Sequence, residues 1–273
     1  MSSPYTVSIC RRAFFSCGRQ LLHPDWSTEQ NHAVFGRDTL PHGSDYVLDV
    51  FYSGPVDERD GMILNLTDMK PVIAEAVEPL DNAWLNEDIA HFHAHRPTAE
   101  NIIDWLWRRL PPTLGGGRLH RLTLAEGPRL CISKTSDTMK ITRKYEFAAA
   151  HRLHMPHESN ERNAELYGKC NNPRGHGHNY GLEVTVAGQP DPESGAIMAL
   201  SELDRIVEEE VFDRFDHKHL NEDCPEFTDI IPTSENLARV IFEKLQARID
   251  NDERRMARVG LHETQKNYFE VEA

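Results

Sequence analysis

At 273 residues the chain is long enough for about two domains, each with a core of its own. Its 44 acidic against 30 basic residues, a formal net charge of -14, exclude a nucleic-acid partner, because phosphate backbones are held by clustered Lys and Arg. An anionic substrate must therefore find local positive charge, and a metal ion is the most compact source of it. The opening MSSPYTVSICRRAFFSCGRQ has no basic segment followed by an apolar stretch, and no run reaches the ~18 apolar residues of a membrane span. A soluble, cytoplasmic protein with no membrane partner is expected. Cys10, Cys17, Cys131, Cys170 and Cys224 are odd in number and lack CxxC spacing, which argues against a disulfide framework or a cysteine-rich zinc knuckle.

In chain order, the first half holds HGSDYVLDVFYSG (His42 to Gly54), LDNAWLNED ending at Asp88, PTAEN (Pro97 to Asn101) and Glu126 in TLAEG. Each landmark returns in the second half, at a nearly constant separation, as HGHNYGLEVTVAG (His176 to Gly188), FDHKHLNED ending at Asp223, PTSEN (Pro232 to Asn236) and Glu263 in GLHET. Upstream, Phe14 and Arg19 align with Phe147 and Arg152. Order and spacing kept over so many landmarks indicate two copies of one fold, meeting near the polar SKTSDTMK (Ser133 to Lys140), with domains at 1–137 and 138–273. The Gly115 to Gly117 run lacks the lysine and hydroxyl of a phosphate loop and reads as a turn.

In the second copy ITRKYEFAAAH alternates, with Ile141, Tyr145, Phe147, Ala149 and His151 on one parity, as a half-buried strand does. The next strand places His176, His178, Tyr180, Leu182, Val184 and Val186 on one face. Leu200, Leu203, Ile206, Val207, Val211 and Phe215 then fall at helical spacing, with Ser201 and Asp204 as a capping pair. Thr233 or Ser234 is placed to cap a second helix striped by Leu237, Val240, Ile241, Leu245 and Ile249. Two short strands, around RVGLHET and NYFEVEA, close the unit. The expected class is α+β, each unit running ββααββ with an antiparallel four-stranded sheet and two helices.

Residues two apart on a strand point the same way, so His176 and His178 can reach one metal, and His151, ending the neighbouring strand, supplies a third imidazole. Three protein ligands with an open position mark a catalytic zinc site. Cys170 shortly precedes His176 in an Asn-, Gly- and Pro-rich segment read as a surface loop, a setting that favours a reactive thiolate beside a metal. Asp216 and His217 form a pair able either to fix one tautomer and relay a proton or simply to cap a helix. Glu263 shares parity with Val259 and Leu261, so its carboxylate faces inward and needs a partner, such as the two donors of an amino-pyrimidine edge.

YGKCNNPRGHGHNY, FDHKHLN, PTSEN and HET together resemble the 6-pyruvoyl-tetrahydropterin synthase family, which includes the 6-carboxytetrahydropterin synthases of queuosine biosynthesis. The resemblance implies the tunnelling fold, homo-oligomers with active sites at subunit interfaces, and zinc on His151, His176 and His178. It further implies Cys170 as the proton-abstracting base, Asp216 and His217 as its relay, and Glu263 with Thr233 anchoring the pterin. The implied reaction is lyase chemistry on 7,8-dihydroneopterin triphosphate, giving 6-pyruvoyl-tetrahydropterin and triphosphate. The alternatives are the carboxy-forming synthase, from which the longer loop between Cys170 and His176 departs, and a pterin-binding protein without activity.

In the first copy Gly18 aligns with His151, Ser44 with His178 and Asn82 with His217, while His42 survives and Asp38 stands near the place of the cysteine. One histidine cannot hold catalytic zinc, so this copy is expected to be metal-free. Its Asp81, Thr98, Glu100, Asn101 and Glu126 read as helix caps and strand partners, with a ligand site retained from the second copy as the alternative. HFHAHRP (His91 to Pro97) reads as a solvated inter-helix loop. If sites combine a zinc-and-cysteine half with Asp-His from a neighbour, the carboxy-terminal copies must ring together, leaving the amino-terminal copies in a second, inert ring.

Overall fold

The computed structural model describes residues 5–273. Contacts divide the protein into two compact units: one is formed by the residues up to Ile141 together with Ala187–Ser201, the other by Thr142–Val186 and Glu202–Ala273.

In the first unit, β1 (Val7–Arg19) and β2 (His42–Gly54) pair antiparallel, with Val7 opposite Gly54 and Arg19 opposite His42. Between them lies α1 (Thr28–Phe35), started by a reciprocal capping box between Ser27 and Gln30 and stopped at Gly36, whose φ is 56°. After α2 (Leu66–Val77) and α3 (Ala99–Arg109), β3 (Gly117–Glu126) and β4 (Leu130–Lys134) complete the antiparallel sheet. Strict alternation buries Tyr46, Leu48, Val50 and Tyr52 of β2, and Ile102, Ile103 and Leu106 of α3, which packs on β3 and β4, are also fully buried. Burying each of these groups stabilises the fold by about 1.5–3 kcal/mol through area removed from water.

The second unit repeats the plan. Its sheet runs β5 (Met139–His151), β6 (His176–Gly188), β7 (Arg254–Thr264), β8 (Asn267–Glu272), with α4 (Asn160–Tyr167), α5 (Leu200–Val207) and α6 (Ser234–Ile249). Thr142 meets Thr185 through their hydroxyls while His151 meets His176, so β5 and β6 run antiparallel. Thr233 caps α6 by accepting from the Asn236 N–H, and the expected stripe of Leu237, Val240, Ile241, Leu245 and Ile249 is buried.

Four local expectations are corrected. Helices α1 and α4 depart from the expected order between the first two strands; they are largely polar, α1 burying only Asn31 and Phe35 and α4 only Asn163. Ser201 and Asp204 do not cap α5: Ser201 lies within the helix and donates to the Ala33 carbonyl, and Asp204 accepts from Arg143 and Tyr145. The apolar stripe beyond Val207 is carried by a π-helical turn, Glu208–Phe212, and a final helical turn, Asp213–Phe215. The His91 to Pro97 run begins in a helical turn, Ala90–Ala94, that buries Phe92 and stacks His91 on His95 at 4.3 Å.

Candidate metal centre

β5 ends on His151, and β6 opens on His176 and His178, whose parity continues into the buried Tyr180. Gly175 makes this approach possible: its φ is 70°, and a Cβ there would lie 2.7 Å from the His151 carbonyl oxygen. One nitrogen from each of the three imidazoles falls within 4.8 Å of the others. This is the group of potential metal ligands found among the described residues.

His151 is 1% exposed, and its Nδ1 lies 2.7 Å from the Pro232 carbonyl. A carbonyl only accepts, so Nδ1 carries the proton and Nε2 offers its lone pair toward His176 Nε2, 3.3 Å away. Burial, the largest cause, pushes His151 and His176 below the ordinary imidazole pKa, and neighbouring imidazoles add to it. Neutral imidazoles with a fixed tautomer are metal ligands in form. The His178 Nε2 is buried with no hydrogen-bond partner among the described residues, which a bound cation would supply. The donor set therefore fits a metal ion.

Glu263 lies beside this cluster, its Oε1 3.9 Å from His178 Nε2. Burial opposes its ionisation, but hydrogen bonds from Ser234 at 2.6 Å and Asn267 at 3.0 Å, with His178 and His151 nearby, outweigh it and hold the carboxyl below its usual range. Cys170 sits half-buried on a 3₁₀ turn, Gly168–Asn171, rather than on the expected open loop, and its carbonyl accepts from Leu153, just past His151. Burial, with the nearby Glu263 carboxylate, raises the pKa of Tyr180, whose ring packs against His178. Thr233 lines a groove of about 780 Å³ together with Arg152, His154, His219 and Asn236.

Asp216 and His217 form a separate pair. Asp216 accepts from the Ala148 N–H at 2.7 Å and from His217 Nδ1 at 2.8 Å. His217 is 82% exposed, with φ at 56°, a left-handed conformation uncommon for a residue with a Cβ. Burial opposes ionisation of Asp216 too, but those bonds prevail and lower its pKa. Among the described residues, no hydrogen bond joins this pair to the three imidazoles or to Cys170. The sequence reading has Ser234 only as a candidate cap, not as the donor to Glu263, and gives Pro232 no role. The serine was signalled by its place beside Thr233, whereas a backbone carbonyl has no sequence signature.

A family profile described as 6-pyruvoyl tetrahydropterin synthase matches residues 8–136 and again 140–273. The protein belongs to the 6-pyruvoyl tetrahydropterin synthase family. It is an enzyme of that type, a pterin-directed lyase, built as two tunnelling-fold units in tandem. It is 46% identical over 127 residues to the 6-pyruvoyl tetrahydrobiopterin synthase of Poecilia reticulata, a match covering 46% of this chain and 85% of that protein. The corresponding figures for the Homo sapiens protein of the same name are 46% over 107 residues, 39% and 74%. The solved 6-pyruvoyl tetrahydropterin synthase of Caenorhabditis elegans is similar at 39% identity, covering 50% of this chain and 96% of that one, with a TM-score of 0.47.

The first synthase-like unit corrects the register inferred from sequence. Phe15, not Phe14, stacks on Tyr46, as Phe147 stacks on Tyr180, while Phe14 is 70% exposed. The Asn82 N–H donates to the Ser16 carbonyl as the His217 N–H donates to the Ala148 carbonyl. Arg19, not Gly18, thus stands where His151 stands, and Gln20 takes the place of Arg152. Asn82 also shares the positive φ of His217, at 60°, so the backbone of this left-handed corner persists where its imidazole does not.

Proposed function

We propose that the second unit is a zinc-dependent synthase that converts 7,8-dihydroneopterin triphosphate to 6-pyruvoyl-tetrahydropterin with release of triphosphate. The observation that carries this reading is the convergence of His151, His176 and His178 within 4.8 Å, beside Glu263. Two nitrogens on one tetrahedral zinc at about 2.0–2.1 Å stand roughly 3.3–3.4 Å apart, and the 3.3 Å between His151 and His176 Nε2 suits that spacing. Zinc held there supplies Lewis-acid polarisation of the oxygens on the substrate's side chain.

The remaining work falls to the protein's own groups. Glu263, held ionised by Ser234 and Asn267, accepts the amino-pyrimidine donors of the pterin, with Thr233 at the groove wall. Cys170 takes a proton from a carbon of the substrate's side chain, and the electrons left behind are redistributed as triphosphate departs. Asp216 fixes His217 in one tautomer for proton relay. The exposure of His217, and the lack of bonds from it to the imidazoles among the described residues, support a homo-oligomer in which one copy's relay pair serves its neighbour's site. The thiols of Cys10, Cys17, Cys170 and Cys224 suit a reducing, cytoplasmic setting.

The test is turnover of dihydroneopterin triphosphate with metal analysis. Cys170→Ala is expected to lower kcat by about 10²–10⁴-fold while keeping the metal. Unchanged turnover refutes the assignment of the base.

A further inference from the structure

We propose that Arg19 is a built-in substitute for the metal ion in the first unit, so that every copy of the protein holds one metal site and one self-occupied counterpart of it. The guanidinium is 2% exposed, and each of its three nitrogens donates a hydrogen bond. Its Nη1 donates to the Pro97 carbonyl at 2.7 Å, as His151 donates to the Pro232 carbonyl at 2.7 Å. Its Nε donates to His42 Nε2 at 3.3 Å. The other nitrogen of His42, Nδ1, lies 2.8 Å from the Leu40 carbonyl and so carries the proton, which turns the Nε2 lone pair toward the guanidinium as it would face a cation.

Nη2 donates to both carboxylate oxygens of Glu126, at 2.6 and 2.8 Å, where the second unit has Glu263. Ser44, in the place of His178, donates to the same carboxylate at 2.9 Å. A guanidinium also presents neighbouring N–H donors of the kind an amino-pyrimidine edge carries. Arg19 therefore excludes a metal by like charge and satisfies the carboxylate a pterin would need; that second clause rests on the reading of Glu263 given above. The free space beside Arg19 is about 40 Å³, bounded by Glu100, Leu130 and Ala196, which admits water and no pterin.

The experiment titrates the full-length protein with Co²⁺ and reads the visible absorption of tetrahedral cobalt. His176→Ala with His178→Ala disables the second unit, and the expected signal is zero equivalents. One equivalent that disappears on adding His42→Ala overturns the proposal. Adding Arg19→His and Ser44→His to that background is expected to restore one equivalent per protein molecule, and a folded variant that stays colourless overturns it. Arg19→Ala, melted with and without millimolar methylguanidinium, covers the case in which the rebuilt variant fails to fold. A rise in Tm confined to the variant supports the inference, and no rise overturns it. Neither readout depends on turnover, and a native protein that binds no cobalt would count against the second unit's site alone.

Discussion

Where β5 ends, an imidazole donates to the Pro232 carbonyl and turns a lone pair toward two further histidines. Where β1 ends, a guanidinium donates to the Pro97 carbonyl and turns its remaining N–H groups toward a histidine and a carboxylate. The scaffold around the two is the same: Thr98 and Thr233 cap matching helices, and Asp81 and Asp216 accept from Ser16 and Ala148. The difference is that one buried cluster beside a carboxylate is closed by three imidazoles suited to a cation, and the other by a fixed guanidinium. Emptying such a site without a replacement would leave Glu126 facing a low-dielectric interior unpaired.

The largest effects should separate the units by chemistry. His176→Ala is expected to remove bound metal and bring lyase turnover to background, whereas His42→Ala leaves both intact; metal analysis and triphosphate release read the contrast. Next comes the internal ion pair. Arg19→Met strands the Glu126 carboxylate and should destabilise the first unit by about 3–5 kcal/mol in denaturant unfolding. Combining it with Glu126→Gln should recover much of that loss.

A third difference lies in the carboxylates that follow the caps. Glu100 is buried and accepts from the Ile197 N–H at 3.1 Å, whereas Glu235 is exposed. Burial pushes the Glu100 carboxyl from its ordinary 4.5 up to about 7. The folded protein then keeps a proton that the unfolded state has already released, so stability falls as pH rises through that interval and levels off above it. Glu100→Gln should flatten this slope in melts recorded across the range, while Glu235→Gln should not. The smallest effects belong to the caps. Thr233→Ala should cost about 0.5–2 kcal/mol, and Thr98→Ala somewhat more, because its hydroxyl also donates to the Gly195 carbonyl at 2.6 Å.

Much of this was legible in the residues. The HGHNY alternation, its echo in HGSDY, and PTSEN as a capped helix start all follow from strand and helix periodicity, and the three imidazoles meet as that parity requires. The role of Arg19 was not legible. β1 carries apolar residues on both parities, Phe14 beside Phe15 and Cys10 beside Cys17, so alternation did not set its register, and a one-residue slip turns every side group to the other face. Matching arginine to arginine then aligned Arg19 with Arg152. Helix α1 was missed although Ser27 and Gln30 spell a capping box, because no apolar stripe accompanied it. The left-handed corners at Asn82 and His217 had no glycine to announce them.

The most direct measurement is anomalous diffraction at the zinc edge from crystals of the zinc-loaded protein. One strong peak per molecule is expected, in contact with the Nε2 atoms of His151, His176 and His178, with featureless density between Arg19 and Glu126. A peak at His42, or none among the three imidazoles, would contradict this expectation.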